Sequence, residues 1–477
     1  MTRSLWSMLA ATFVLRVSTA ITGTILVFYL AHLNRTGARV GSGEVAFLET
    51  GFYITEVGGA LVFGVLADRV GRKAIMLLGP VFGAVAVFLT GLTTRVPILF
   101  VTRLLEGAST AASVPSTLGF IAAETVDDEI LRGRVVAVFE LVTLGGLLAI
   151  GPFMAGVLWH FFGPFAFFVN CGIYLVSLAG YAYGVVELQP ARVEPTAAAT
   201  ADARPARGLD HRPAEGSPAA PLAPTVPSPG ALGRYRRVFL DRQVLLFAPT
   251  WLAINAIIGL WRSQAPFLLT GESTFRDPNQ LLLRGFSPFQ IGAGMAVLSL
   301  FFGAGILFWG NAFGRFRRTT ILLFGLVAFS VATATVLVLN HAFGLPPLVI
   351  GALLIVLVAA LFVLAGATPA AVGLLADVSE GFHEDRSTIM GLYSVFLGLG
   401  QVIGIAAAGV AASLGGVDGL VVATALLIAV GLAALLNLRA REHVLPSATA
   451  HVSPLQALRS FRHREPEPRR ADRPGEG

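Results

Sequence analysis

The chain has 477 residues, of which 55% are apolar and 13% are charged, and its mean hydropathy is +0.75. A soluble domain carries about 25% charged residues, so this composition excludes the soluble class. Repeated stretches of about 18 or more apolar residues predict an all-α membrane protein, since a β-barrel would show short alternating segments. The net charge of +6 does not indicate a nucleic-acid partner, because the arginines are concentrated in predicted loops and tails.

The residues that carry catalytic or metal chemistry are sparse. Cys171 is the single cysteine, which excludes an intrachain disulfide and a cysteine metal cluster. No histidine spacing fits a metal site, and no G-x-x-x-x-G-K phosphate loop is present. We therefore expect no metal, no cofactor and no enzyme activity. The first apolar stretch contains Arg16 and continues to Ala31, which indicates a membrane span instead of a cleaved signal.

The hydropathy pattern predicts twelve spans in two sets of six. The first set covers 8–31, 45–67, 74–94, 97–122, 134–158 and 165–187, and the second covers 244–269, 289–310, 319–340, 346–370, 387–413 and 418–438. Residues 1–187 and 244–438 are thus predicted to form two pseudo-symmetric six-helix bundles. Residues 188–243, rich in proline, alanine and charge, predict a disordered cytoplasmic linker, and residues 439–477 a basic cytoplasmic tail.

The distribution of basic residues predicts the orientation in the membrane. With a cytoplasmic N-terminus, 26 of the 34 lysines and arginines fall on the cytoplasmic side, which satisfies the positive-inside rule. Both termini and the linker are therefore expected inside the cell membrane. The segments "GFIAAETVDDEILR" (119–132) and "GLLADVSEGFHEDR" (373–386) match in spacing, and this match indicates an internal repeat. In transporters such a repeat places the substrate between the halves, near mid-membrane.

A ten-residue segment between spans two and three, "GVLADRVGRK" (64–73), concentrates charge in an otherwise apolar region. It closely resembles the signature of the major facilitator superfamily, and the twelve spans and central linker extend that resemblance to the whole chain. The resemblance implies a small-molecule transporter in which this loop is a cytoplasmic gate. The gate residues would be Gly64, Asp68, Arg69, Gly71, Arg72 and Lys73.

By the same resemblance, Asp68 would bind the N-terminal end of span eleven, near Ser387 and Thr388. A helix N-terminus favours a carboxylate because its unpaired N–H groups carry partial positive charge. Gly64 and Gly71 are expected to permit a close helix approach and a tight turn. The basic residues of the loop are expected to pair with Glu124, Asp127 or Asp128. Charges that set topology alone would need neither the aspartate nor the glycine spacing.

Two further segments resemble motifs of the same family. "LFVTRLLEGASTAAS" (99–113) matches the span-four motif through Arg103 and Gly107, and the resemblance implicates Arg103 in proton movement. "GGLLAIGPFMAG" (145–156) resembles the Gly-Pro motif of antiporters through Gly151, Pro152 and Gly156, although Ala155 replaces a glycine. The alternative is ordinary transmembrane glycine and proline that kink span five and let a neighbouring helix approach.

Seven ionisable side chains fall inside predicted spans, where each costs at least about 2.5–3.5 kcal/mol and therefore needs a reason. Depth along the helices allows Arg16 to pair with Glu56, and Arg103 to pair with Glu49 or Glu106. In general, burial raises the pKa of a carboxylic acid and a nearby arginine lowers it again, so separating such a pair moves a proton. The alternative is a permanent ion pair that fixes helix packing. The proton-coupling candidates are Glu56, Glu106, Glu140, Arg103 and Arg16.

The second half carries only Arg262 as an intramembrane charge, so we expect a mainly apolar and aromatic substrate wall there. Trp261, near the outer edge, is either an interfacial anchor or a ligand. The substrate-cavity candidates are Trp251, Asn255, Gln264, Tyr393 and Gln401.

The sequence thus predicts a monomeric secondary transporter that exports a hydrophobic or amphipathic small molecule in exchange for protons. One alternative is a proton-coupled importer of a polar solute such as a sugar or organic acid. Another is a non-transporting sensor or scaffold whose linker and tail bind a partner. The acids within the membrane argue against the sensor, and the apolar second half argues against the importer.

Overall fold

The first half of the chain forms six membrane crossings in the computed structural model, which describes residues 1–125, 128–186, 242–312, 316–379 and 386–442. Span five combines two α-helices with a π-helical turn, Gly145–Ile150, between them. The helices of this half are α1 (Arg3–Arg35), α2 (Ser42–Val70), α3 (Arg72–Leu92), α4 (Val96–Glu124), α5 (Glu129–Leu144), α6 (Gly151–Phe162) and α7 (Ala166–Gly184).

The second half repeats this arrangement. Its helices are α8 (Arg242–Leu269), α9 (Pro288–Ala312), α10 (Arg318–Asn340), α11 (Pro347–Leu364), α12 (Ala367–Ser379) and α13 (Arg386–Glu442). Helices α11 and α12 follow each other in the tenth crossing, which continues past the predicted end at residue 370 to Ser379. Helix α13 contains spans eleven and twelve, because its backbone reverses at Gly416, where φ is 57°.

Eight helical segments in the described ranges are long and apolar enough to cross a membrane. Two of them, Arg134–Gly184 and Val395–Arg441, reverse at the positive-φ residues Gly163 and Gly416, so each crosses twice. The 29-residue helices α2 and α4, which carry acids inside the bilayer, bring the crossings among the described residues to twelve. The predicted all-α fold is confirmed. The predicted linker and tail lie outside the described residues, except for 242–243 and 439–442.

Each half has its own hydrophobic core. The core of the first half is centred on α1, most of whose residues are buried between α5, α6 and α7. The core of the second half is centred on α8, which packs along α13. The backbones of these two helices approach closely, since a Cβ built on Gly404 would lie 1.9 Å from the carbonyl oxygen of Ala256. Small residues at such crossings are how transmembrane helices gain packing energy in lipid.

The two faces of the bundle are defined by where the helices begin and end. We call the face that holds the start of α1 and the α2–α3 turn the terminal face. The opposite face, which holds the connections 36–41, 93–95, 270–287 and 341–346, is the distal face. The hydrogen bonds and ion pairs that link the two halves in the described residues lie towards the distal face, at Asn34, Arg35, Ser42, Glu49, Tyr53, Arg262, Gln264 and Glu272. That face is therefore closed.

Candidate functional site

A buried ion-pair network lies where α2 meets α4. The Arg103 guanidinium donates through Nη1 to Glu106 Oε2 and through Nη2 to Glu49 Oε1, the latter at 2.8 Å. The guanidinium also lies 4.7 Å from the ring centroid of Phe52, which is within cation–π range. Arg103 is 3% exposed and Glu106 is 1% exposed. Arg103 is therefore paired with Glu49 and with Glu106 at the same time, whereas the sequence had offered these two partners as alternatives.

The network follows from helical spacing and from one glycine. Glu49, Tyr53 and Glu56 recur at intervals of four and three residues, so they share one face of α2. Gly107 brings α4 against that face, because a Cβ there would lie 2.3 Å from the carbonyl oxygen of Phe52. A larger residue at this position would push Arg103 away from Glu49.

Arg262 joins this network from the other half of the protein. Its Nη2 donates to the hydroxyl of Tyr53 and lies 3.6 Å from Glu49 Oε2. The guanidinium is also 5.1 Å from the centroid of the Tyr53 ring. Glu49 is thus shared between an arginine of each half. The sequence analysis identified Arg262 as a lone charge but assigned no role to Tyr53, although its spacing from Glu49 carried that signal.

Glu56, Arg16 and Glu140 are placed differently from the predicted pair. No ion pair within 4 Å joins Arg16 to Glu56 in the described part of the chain, so the predicted pairing of these two side chains is not formed. Arg16 is buried against the π-helical turn, where a Cβ on Gly146 would lie 3.1 Å from the Cβ of Arg16. Glu56 is half-buried and Glu140 is exposed, and Arg16 acts electrostatically on both.

A buried hydroxyl and amide network, which the sequence analysis did not identify, joins α1 to α7. Ser18 donates to Asn170 Oδ1 at 2.7 Å, and Asn170 Nδ2 donates to Thr22 Oγ1 at 2.8 Å. Closer to the terminal face, Thr12 and Tyr181 share a hydrogen bond of 2.9 Å. These bonds satisfy polar groups that would otherwise be buried without partners. They hold α1 in position behind the ion-pair network.

The Gly-Pro segment of span five brings the two halves together. The N–H of Gly151 bonds to the carbonyl of Gly146, five residues earlier, which defines the π-helical turn. Pro152 follows immediately, and a wider turn accommodates a ring that would clash in a regular helix. Gly156 then packs against α9, where its Cβ would lie 3.2 Å from the Cα of Gly292.

The predicted gate loop is only partly described. Gly71 adopts φ 114° at the junction of α2 and α3, which requires glycine. Gly64 has no tight contact, since its Cβ would lie 3.7 Å from Pro115 Cβ; the close approach expected there occurs instead at Gly107. The side chains of Asp68, Ser387 and Thr388 lie outside the described part of the structure.

One basic residue of the gate loop, Lys73, has a partner other than the acids expected. Lys73 Nζ donates to the carbonyl of Ala182 at 2.8 Å, near the C-terminal end of α7, where a cation is favoured. The Asp128 carboxylate accepts from the N–H of Leu131 and caps α5. Arg69 is exposed and Arg72 is half-buried. Asp127 lies outside the described residues.

The second-half candidates mostly take part in helix packing. Trp251 is buried in the core and stacks on Phe247 at 6.3 Å. Asn255 donates to the carbonyl of Trp251, and Gln264 Nε2 donates to the carbonyl of Ser42 across the halves. Gln401 packs on Gly259, where a Cβ would lie 2.8 Å from its Oε1.

Trp261 and Tyr393 are the remaining aromatic residues that the sequence singled out in the second half. The indole nitrogen of Trp261 donates to Thr424 Oγ1 at 3.0 Å, a bond between α8 and α13 that holds the ring inside the half. The side chain of Tyr393 lies outside the described part of the chain.

Comparison with known proteins places this arrangement in a wider context. The family profile of the Major Facilitator Superfamily matches residues 8–273 and 278–466. The methyl viologen resistance protein SmvA of Salmonella typhimurium is 30% identical over 174 residues, 36% of this chain and 34% of that protein. The methylenomycin A resistance protein of Bacillus subtilis is 29% identical over 170 residues, 35% of this chain and 36% of that protein. The matched stretch spans about a third of the length of these curated relatives.

Solved structures share the whole fold at low identity. A bacterial homologue of the human lysosomal transporter Spinster, in an inward-facing and unoccupied conformation, has 13% identity and a TM-score of 0.66 over 94% of this chain and all of that one. The nucleoside transporter NupG has 12% identity and a TM-score of 0.61 over 90% of this chain and 98% of that one. At these identities the likeness concerns the fold alone.

Proposed function

This chain belongs to the Major Facilitator Superfamily and is a multi-pass membrane transporter, and from that premise we propose that it couples proton entry to export of a hydrophobic or amphipathic small molecule. Export proceeds by alternating access, with the two six-helix halves opening first to one face and then to the other. The distal face, closed in the structure, is the external one, and the terminal face is cytoplasmic. The protein acts as a monomer in the cell membrane.

The observation that carries the proposal is the state of Glu56. Its carboxylate is half-buried near mid-membrane and has no hydrogen bond or ion pair in the described part of the structure, whereas Glu49 and Glu106 are both paired with arginine. An unpaired acid inside a membrane protein is expensive and marks a proton or substrate path. Glu56 is therefore the first proton carrier, Glu106 the second and Glu140 the third.

The export direction and the substrate class draw support from two sources. The relatives matched over about a third of their length are named for resistance to methyl viologen and to methylenomycin A, and removal of a toxic compound is one route to resistance. The sequence of the second half has Arg262 as its intramembrane charge, so a substrate wall contributed by that half is mainly apolar and aromatic. Such a wall suits an apolar substrate better than a heavily hydroxylated one.

The test measures proton-driven dye transport in inside-out vesicles with an imposed pH gradient. The parent protein is expected to accumulate lipophilic dyes and to release protons as it does so. Glu56→Gln should reduce accumulation to the rate seen without a gradient, because the amide cannot carry a proton. Glu44→Gln is the matched control on the same helix, because this exposed side chain accepts from the N–H of Gly41, an amide keeps that bond, and transport should be unchanged.

The outcomes separate the alternatives. Transport that Glu56→Gln and Glu106→Gln both leave intact would remove the coupling assignment. Uptake of sugars or organic acids with protons, and no dye transport, would identify a polar-solute importer. A correctly inserted protein that moves no solute of either panel would be a sensor or scaffold.

A further inference from the structure

We propose that Arg16 binds an anionic group of the exported molecule, so that the substrate is an amphipathic organic anion such as an aryl carboxylate or sulfonate. The inference rests on the proposed function, whose broad substrate class it narrows. It starts from a difference between Arg16 and the other two arginines inside the predicted spans. Arg103 has ion pairs with two carboxylates and Arg262 has one, whereas Arg16 has none within 4 Å in the described part of the chain.

The Arg16 side chain is buried without a partner. It is 5% exposed, and its Nε donates no hydrogen bond to any residue that the structure describes. A guanidinium has five N–H donors and keeps its charge in proteins, so its burial without a carboxylate costs several kcal/mol. A charged side chain of this kind inside a membrane protein marks a path for a substrate or an ion.

The packing of α1 against span five shows where the guanidinium lies. The Cβ of Arg16 faces the π-helical turn, 3.1 Å from the position of a Cβ on Gly146. A long helical side chain points back towards the start of its helix, and α1 starts at the terminal face. Span five also starts there, so the guanidinium lies beside residues that precede Gly146. Its electrostatic effect on Glu140 agrees with this position.

A second donor without a partner lies in the last turn of α5. Thr143 is three residues before Gly146 and three after Glu140, so it is a helical neighbour of both. Its Oγ1 is buried and has no hydrogen-bond partner within the described ranges. A guanidinium and a hydroxyl form a donor set that suits a carboxylate or a sulfonate, with charge-assisted bonds from Arg16 and a further bond from Thr143.

Two acids are the rival partners of Arg16. Arg16 acts electrostatically on Glu56 and on Glu140, yet neither carboxylate lies within ion-pairing distance of it in the described residues. A cationic substrate would bind these acids instead of the arginine. A carboxylic acid becomes neutral when it takes up a proton, as the proposed function requires of both, whereas a guanidinium stays charged. The charge that most needs a ligand of opposite sign is therefore that of Arg16.

The depth of Arg16 and its neighbours determine the kind of anion. Arg16 lies thirteen residues after Arg3, the first residue of α1, or about 20 Å along the helix. Lipid headgroups stay at the interface, so an anion at this depth belongs to a separate molecule. Phe13, one turn before Arg16, and the mainly apolar second half offer surface for a ring or a chain. The ligand thus joins an anionic head to an apolar body.

The test compares three ligands that share a naphthalene ring and differ in charge: 2-naphthoate, 2-naphthylmethanol and 2-naphthylmethylammonium. Binding is measured by calorimetry at neutral pH on the full-length protein in phosphatidylcholine nanodiscs, with empty nanodiscs as the blank. The parent is expected to bind the anion most tightly. Arg16→Gln should weaken binding of 2-naphthoate about ten- to hundredfold, as loss of hydrogen bonds to a charged group does, and leave the alcohol unchanged.

Further variants separate anion binding from general damage. Arg16→Lys should keep part of the affinity for 2-naphthoate, because a point charge remains without the planar fork. Thr143→Val should weaken the anion by a smaller factor, since a neutral donor contributes less. Arg3→Gln, which removes an exposed arginine from the same helix, should change nothing. Glu140→Gln should bind 2-naphthoate at least as tightly as the parent does, whereas a site for cations would lose affinity.

Three results would overturn the inference: a parent that binds the ammonium or the alcohol as tightly as the anion, an Arg16→Gln protein that binds 2-naphthoate normally, or displacement of 2-naphthoate by an equal concentration of sulfate, which has no apolar body. The proposed function fails separately. If a pH gradient drives no dye transport but 2-naphthoate binds through Arg16, the inference stands. If transport is proton-driven and 2-naphthoate binding ignores Arg16, the inference alone is lost.

Discussion

Arg103 shows how single residues determine the chemistry of this bundle. It is buried at 3% exposure, and its two terminal nitrogens contact carboxylates on two different helices. Removing one member of such a set leaves the others charged, buried and uncompensated, which costs about 3–5 kcal/mol. The same residue therefore contributes to folding and to the proposed proton path, and the two contributions need separate measurements.

The first prediction at this scale concerns stability. Arg103→Leu should lower the unfolding free energy by about 3–5 kcal/mol, since Glu49 and Glu106 lose their shared partner. The measurement is the unfolding midpoint in detergent, with the exposed Arg69→Leu as a control that should change little. The triple variant Glu49→Leu, Arg103→Leu and Glu106→Leu should recover most of the loss, because it leaves no unpaired charge. A triple variant less stable than Arg103→Leu would contradict this account.

Sequence periodicity predicted part of this site and could not predict the rest. Both partners of Arg103 were among its expected pairs, because depth along neighbouring helices is readable from residue counts. The contact of Arg262 with Tyr53 joins residues 209 positions apart in different halves, and no helical period relates them. The predicted pair of Arg16 with Glu56 failed because depth gives no rotation about the helix axis.

At the scale of elements, α6 and α9 cross through a close glycine contact between the two halves. A Cβ on Gly292 would lie 2.7 Å from the carbonyl oxygen of Pro152 and 3.1 Å from the Cα of Gly156. Backbone atoms cannot move aside as a flexible side chain can. The crossing therefore tolerates only glycine when the distal face is closed.

This contact gives a second prediction. Gly292→Ala should reduce transport and increase the open population of the distal face, because the added methyl group separates α6 from α9. Gly294→Ala is the matched control in the same helix, since a Cβ there meets nothing within 4 Å. The measurements are dye transport and the distance between spin labels at Arg39 and Asn279, exposed distal residues of opposite halves, in a Cys171→Ser background. Equal behaviour of the two variants would contradict the steric argument.

Hydropathy located the helices well, since most described helices cover the predicted span and extend a few residues beyond it, whereas α3 and α7 end two and three residues before the predicted end. Helices extend past the bilayer because their hydrogen bonds continue into water, whereas hydropathy ends at the lipid boundary. The π-helical turn at 145–150 was not predicted, although the Gly-Pro segment was expected to kink span five. A π turn forms where a backbone N–H bonds to the carbonyl five residues earlier instead of four, and the residue types alone do not specify that pairing.

At the scale of the whole molecule, the distal face is closed by polar contacts between the halves. Asn34 donates to the carbonyl of Glu272, and Arg35 pairs with its carboxylate at 2.7 Å. Next to them, a Cβ on Gly41 would lie 3.2 Å from Thr274 Oγ1 and 3.9 Å from its Cγ2. Side chains at these two positions thus meet, as the two cysteines of a disulfide must.

A third prediction follows from that proximity. Gly41→Cys with Thr274→Cys, in a Cys171→Ser background, should form a disulfide under mild oxidation and stop transport by holding the distal face closed. Reduction should restore transport. Each single cysteine variant should retain activity under oxidation. A cross-linked protein that still transports would contradict alternating access through this face.

The sequence also predicted the molecular architecture, because the span count, the central linker and the matching segments 119–132 and 373–386 all indicated two equivalent halves. It could not predict which face is closed. The two states of a transporter use the same helices and differ in free energy by a few kcal/mol, so composition favours neither.

The π-helical turn also sets the rotation of the later half of span five. It holds about one more residue per turn than a regular helix, and Gly151 and Gly156 lie beyond it. If residues 145–150 were all kept but took regular helical geometry, every later position would be rotated by about 100° about the axis, and Gly156 would face away from Gly292. Deleting one residue together with the wide turn would cancel that rotation, because the extra residue is what the turn absorbs. The π turn therefore lets span five carry one additional residue while Gly156 keeps its place against α9.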